Sequence, residues 1–150
     1  ARIDGREVEL CLVDEATKAL LDEYDNVLIE GAGGLMVPLK GEYLTLDYIR
    51  ERNLPTILVS NGRLGSISDT LLALSAISHA GIRLFALLWN PYFDKDKTIA
   101  ADTKEYLQRW LEHHFPDAYF IEMPKQSEIS LIKSRYIVNY LYFCKSLRKL

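Results

Sequence analysis

The chain is 150 residues long (17.2 kDa), 49% hydrophobic and 26% charged, with a formal net charge of -3. That length buries one ordinary core, and that balance belongs to a soluble globular protein, so residues 1–150 read as a single domain. A mildly acidic chain has no basic face for nucleic acid or an anionic membrane, and neither is expected as a partner.

In chain order, apolar residues recur at three- and four-residue steps over 13–23, which predicts a helix. The β-branched run Asn-Val-Leu-Ile-Glu at 26–30 predicts a strand, and a glycine-rich turn through Gly31, Gly33 and Gly34 follows it. A second helix is expected over 45–52, a strand over 55–60 and a third helix over 66–79. Ser66, Ser68 and Asp69 suit the start of that helix, and Gly81 suits a stop just beyond it. The run 84–90 reads as a strand, 98–114 as a helix and 118–123 as a strand, while the aromatic and then basic segment 136–150 reads as strand-to-helix or as one amphipathic helix. Near-continuous apolar strands alternating with helices imply an α/β fold, a three-layer parallel sheet with flanking helices.

Cys11 and Cys144 are too few for a disulfide framework and have no metal-site spacing, which implies reduced, cytoplasmic thiols, with Cys144 a buried one. No leader-like segment and no apolar run of about 18 residues occurs, so an unexported, soluble protein is expected. His79, His113 and His114 have no Ser, Cys or acid at an informative spacing and read as surface or helix-capping residues, and Trp89 and Trp110 read as core or interface residues.

Ligands of open parallel sheets bind outside the carboxyl ends of the strands, which selects a shortlist by geometry alone. Glu30 ends the first apolar run, where a carboxylate either supports Mg²⁺ or is solvated in its loop. Gly31, Gly33 and Gly34 clear side chains where a backbone would approach a phosphate, although plain tight turns use the same residues. The stretch from Gly62 and Arg63 into the helix at Ser66 aims unpaired N–H groups at one spot, either an anion site or a well-capped surface helix. Asn90 carries an amide able to read a purine edge, or it is a turn former ahead of Pro91.

Together, Val27-Leu28-Ile29-Glu30-Gly31-Ala32-Gly33-Gly34-Leu35-Met36-Val37-Pro38-Leu39 resembles the signature of the dethiobiotin synthetases, relatives of the P-loop ATPases in biotin biosynthesis. The order continues through Pro55-Thr56-Ile57-Leu58-Val59, Arg63-Leu64-Gly65-Ser66-Ile67, His79-Ala80-Gly81 and Leu88-Trp89-Asn90, and it fades after Met123. The resemblance implies a homodimeric enzyme, dependent on Mg²⁺ and ATP, that closes the ureido ring of dethiobiotin from 7,8-diaminononanoate and CO₂. In that scheme a carbamate takes the γ-phosphoryl group and the second amine then displaces phosphate, with the protein positioning the reactants and neutralising charge.

Carried over by position, the resemblance makes Glu30 a Mg²⁺ ligand and lines the phosphate and substrate site with Gly31, Ala32 and Gly33. It gives Val37 and Pro38 to the diamine and assigns the substrate carboxylate to Arg63, Leu64, Gly65, Ser66 and Ile67 across the dimer interface. Asn90, followed by Pro91, reads the adenine, with Pro124 near the base. The sequence departs from the family in lacking Gly-x-x-x-x-Gly-Lys-Ser/Thr and the Lys-Pro stretch that supplies a catalytic lysine, and in carrying Lys125 after Pro124. No catalytic residue is therefore assigned within this chain. The expected molecule is the carboxy-terminal portion of such an enzyme without its P-loop unit, inactive alone and poorly stable unless dimerisation covers its open sheet. The alternatives are a non-catalytic dimerising or regulatory remnant, or a related P-loop ATPase of the cobyrinate synthase amidotransferase or partitioning type.

Overall fold

The structure, a computed structural model, describes residues 7–94 and 96–124. The expectations for Lys125, Cys144 and 136–150 lie outside the described residues. The chain divides into two compact units, with the boundary between Leu44 and Thr45.

In the first unit, helix α1 spans Leu10–Glu23 and buries none of its residues fully. Its last turn closes through Tyr24 N–H donating to the Leu20 carbonyl at 2.7 Å, and Cys11 lies exposed on it. The strand expected at 26–30 does not form, since the run carries no regular structure and pairs with none of the described strands. Val, Leu and Ile favour strands because they fit a half-buried pleated surface, and without a neighbouring strand that preference has nothing to act on. A short antiparallel hairpin follows, β1 (Pro38–Lys40) with β2 (Tyr43–Leu44), which the apolar periodicity did not announce. Gly41 turns it at φ +57°, in the left-handed region that favours glycine. Lys40 Nζ meets the Glu7 carboxylate at 2.7 Å, which holds Glu7 below the ordinary glutamate value and Lys40 above the ordinary lysine value.

In the second unit, α2 (Thr45–Glu51) leads into a parallel sheet ordered β3 (Thr56–Asn61), β4 (Leu84–Asn90), β5 (Tyr119–Glu122). Helix α3 (Ser66–His79) joins β3 to β4, and α4 (Lys97–His114) joins β4 to β5. The fold class is α/β, a parallel sheet with flanking helices. The helices of such parallel crossovers pack back onto the sheet. For α3 that packing is visible in the buried hydrogen bond between Ser60 Oγ and Thr70 Oγ1 at 2.7 Å.

The core is Leu87 and Trp89 of β4, Leu74 and Ile77 of α3, and Leu107 and Leu111 of α4, all under 2% exposed. Burying six side chains of this size contributes roughly 10–15 kcal/mol before chain entropy is subtracted. β3 is an edge strand, and its residues alternate between partly covered and exposed, with Ile57 and Val59 on the open side. Gly81, at φ +67°, ends α3: its N–H donates to the Ser78 carbonyl and that of Ile82 to the Ile77 carbonyl, both at 3.0 Å. Trp89 is a core residue as expected, and His79, His113 and His114 are exposed.

Candidate functional site

The candidate residues fall on both units, and each group has its own geometry. In the first unit, Glu30 is exposed and follows Val27, Leu28 and Ile29 without entering a strand. Gly31, Ala32, Gly33 and Gly34 are also exposed. Gly33 adopts φ +100°, and a Cβ there would lie 2.9 Å from Val37 Cγ2. Glycine is therefore required twice, by backbone conformation and by the fold-back of Val37. Val37 N–H donates to the Gly34 carbonyl at 3.2 Å, which closes the turn and delivers Pro38 as the first residue of β1.

In the second unit, the ends of all three parallel strands carry candidate residues and lie side by side. Asn61 is in register with Asn90, and Trp89 with Glu122. Met123 N–H donates to the Trp89 carbonyl at 2.8 Å, which places Pro124 immediately past the sheet edge that Asn90 ends. The strand-end shortlist of Gly62–Arg63, Asn90–Pro91 and Pro124 is thus one contiguous edge. Asn90 Oδ1 accepts from Tyr92 N–H at 3.0 Å and caps the 3-10 turn Pro91–Phe93. Its turn-forming role is real, and the amide NH₂ has no partner among the described residues and can donate.

The turn into α3 is built around Gly65, at φ +92°, with no side chain capping the helix. Arg63 N–H donates to Asn61 Oδ1 at 3.0 Å, and Ser66 N–H donates to the Arg63 carbonyl at 3.0 Å. Ser66 is the first residue of α3, as its type suggested, and it is buried with a hydroxyl that finds no partner among the described residues. Leu64 stands 96% exposed at the tip, with Arg63 and Gly65 exposed beside it and Ile67 half-buried. The N–H groups of a helix start beside an exposed apolar tip suit a carboxylate with an attached aliphatic chain.

Asp94 is the residue that sequence reasoning missed. Its Oδ2 accepts from Trp89 Nε1 at 3.3 Å, while Oδ1 is buried without a partner among the described residues. A Cβ on Gly62 would come within 2.5 Å of that oxygen and 2.8 Å of Ala100 Cβ. Gly62 is therefore a close-packing glycine that lets the end of β3, Asp94 and α4 meet. Its only sequence signal was a glycine at a strand end.

No group of three or more His, Cys, Asp or Glu able to hold a metal occurs among the described residues. One exposed carboxylate beside bare backbone fits a Mg²⁺ held chiefly by nucleotide phosphates and water, not an all-protein cage.

The family described as AAA domain matches residues 1–129. The chain belongs to this family. It is similar to the ATP-dependent dethiobiotin synthetase BioD 2 of Haemophilus ducreyi, 44% identical over 114 residues, covering 76% of this chain and 54% of that protein. It is also similar to the ATP-dependent dethiobiotin synthetase BioD 2 of Pasteurella multocida, 39% identical over 120 residues, 80% of this chain and 56% of the relative. The ATP-dependent dethiobiotin synthetase BioD of Chlorobaculum tepidum is 42% identical over 124 residues, 82% of this chain and 52% of the relative. The chain spans about half the length of these curated relatives. Among the described residues no helix is long and apolar enough to cross a membrane.

Proposed function

We propose that this chain carries the nucleotide-base and substrate-positioning portion of an ATP-dependent dethiobiotin synthetase. The observation that supports the reading is 39–44% identity to proteins of that name over most of the chain. The geometry that accompanies it is the single edge on which β3, β4 and β5 end at Gly62, Asn90 and Pro124.

In this reading residues 1–150 act as one domain in a cytoplasmic homodimer that takes 7,8-diaminononanoate, CO₂ and ATP. The Asn90 NH₂ donates to a ring acceptor of the adenine, with Pro91 and Pro124 beside the base. The exposed backbone of Gly31, Ala32 and Gly33 approaches phosphate oxygens. Val37 and Pro38 pack against the diamine chain. The α3 start, from Arg63 to Ile67, receives the substrate carboxylate through backbone N–H groups and charge. Mg²⁺, when bound, supplies charge neutralisation at the transferred phosphoryl group, and Glu30 is the oxygen ligand this chain offers it. The chain lacks a Gly-x-x-x-x-Gly-Lys-Ser/Thr sequence, so residues 1–150 alone are expected to be inactive.

A Glu30→Gln variant tests the metal assignment in a complex that combines this chain with the portion of the Haemophilus ducreyi relative outside the match. The Mg²⁺ concentration for half-maximal turnover should rise at least about tenfold, as loss of one charged ligand predicts. Unchanged Mg²⁺ dependence and turnover would remove Glu30 from the site.

A further inference from the structure

Tyr92 stands 80% exposed just beyond the carboxyl end of β4, two residues after Asn90. The turn that carries it is held at both ends. Asn90 Oδ1 accepts the Tyr92 N–H at 3.0 Å, the Asp94 N–H donates to the Pro91 carbonyl at 3.1 Å, and Asp94 Oδ2 accepts from Trp89 Nε1 at 3.3 Å. Pro91 fixes one more backbone dihedral, and Trp89, 1% exposed, anchors the bracket in the core. The backbone under an exposed aromatic ring is thus set in place before any ligand arrives.

Such a ring is a stacking surface. A tyrosine has two side-chain torsions, so ordering it against a flat ligand costs little, and its face is apolar while the hydroxyl stays wet. The neighbours make a nucleobase the flat ligand. Asn90 and Pro91 belong to the same turn, and Pro124 lies just past the adjoining strand end, where Met123 N–H donates to the Trp89 carbonyl. An amide meets the edge of a base and leaves its faces to other groups. Tyr92 supplies an aromatic face at this edge of the sheet, and its N–H is bonded to the same side chain that would meet the base edge.

We propose that Tyr92 is a base-binding residue whose ring stacks on the purine of the nucleotide while Asn90 meets the purine edge. The proposal rests on the nucleotide-base reading of Asn90 given above. It carries a consequence for specificity. Stacking addresses the face of a base and not its edge, so Tyr92 contributes equally to the binding of adenine and of hypoxanthine.

Two measurements test this. In the complex of the full 150-residue chain with the portion of the Haemophilus ducreyi relative outside the match, Tyr92→Ala should raise KM for MgATP and for MgITP by the same factor, about tenfold, with kcat retained. Tyr92→Phe should keep both KM values, because the ring remains, and Tyr106→Ala, which removes a 40% exposed ring from α4, should not change them. The second measurement needs neither partner nor turnover: adenosine added to the 150-residue chain should shift the Tyr92 ring protons upfield in NMR spectra, and ribose should not. An unchanged KM in Tyr92→Ala while the complex forms dethiobiotin, or no ring shift with adenosine, would overturn the proposal and leave the proposed reaction standing. A complex that forms no dethiobiotin, although adenosine shifts the Tyr92 ring, would overturn the reaction and support the stacking site.

Discussion

Replacing Gly62 with alanine places a methyl group where the structure has no room. The new Cβ lies 2.5 Å from Asp94 Oδ1, 2.8 Å from Ala100 Cβ and 3.2 Å from Ala100 Cα. Asp94 is the member able to yield, and yielding draws its other oxygen away from Trp89 Nε1, now 3.3 Å distant. Trp89 is 1% exposed, so water cannot replace the lost acceptor. An overpacked site costs about 1–3 kcal/mol and an orphaned buried N–H about 1–3 kcal/mol. The stiffer unfolded chain returns about 0.4–1 kcal/mol, for a net loss near 3 kcal/mol. Urea unfolding followed by tryptophan emission in a Trp110→Phe background isolates Trp89, whose native emission should shift as its hydrogen bond is lost. In an Asp94→Ala background the same Gly62→Ala change should cost less than it does alone, because the oxygen it strikes is gone and only the overlap with Ala100 remains. A loss below about 1 kcal/mol for Gly62→Ala alone, or strict additivity of the two changes, would refute the reasoning.

Leu107→Ala empties a fully buried position on α4 and should destabilise by about 2–5 kcal/mol in the same assay. Asp96 Oδ1 accepts the Thr98 and Ile99 N–H groups at the start of α4, so Asp96→Ala should cost about 1 kcal/mol by thermal unfolding. Glu7 titrates below the ordinary glutamate value because of Lys40, so its contribution is present above that value and lost as pH falls through the depressed one. Lys40 titrates above the ordinary lysine value, so its share persists until pH rises through the elevated one. NMR titration of the Glu7 carboxyl should show the depression, and Lys40→Ala should return it to the ordinary value. Both groups are exposed, and salt should weaken the effect.

Much of the second unit was legible because its signals are local. The spans 66–79 and 84–90 coincide with α3 and β4, since helical period, the Gly81 stop and a seven-residue apolar run each state their meaning without reference to the rest of the chain. The strand at 26–30 was misread for the complementary reason. A strand needs a neighbour, and propensity cannot report whether one is present. The hairpin at 38–44 was missed because its two strands have three and two residues, too short for periodicity. At the candidate site, the sequence picked out Asn90 and Gly62 as strand-end residues, and the sheet register brought their strand ends together. It could not reveal Asp94, whose part depends on the distant Gly62 and Ala100. Ser66 was legible as a residue of the helix start, but its burial was not, because that depends on what packs over it.

The central claim is that this chain serves a dethiobiotin synthetase. The most direct measurement is dethiobiotin formation from 7,8-diaminononanoate, CO₂ and MgATP, by mass spectrometry, with the chain alone and in complex with the remaining portion of the Haemophilus ducreyi relative. The account predicts no product from the 150 residues alone and ATP-dependent dethiobiotin from the complex. A stable complex that turns over no 7,8-diaminononanoate, or product from the isolated chain, would contradict it.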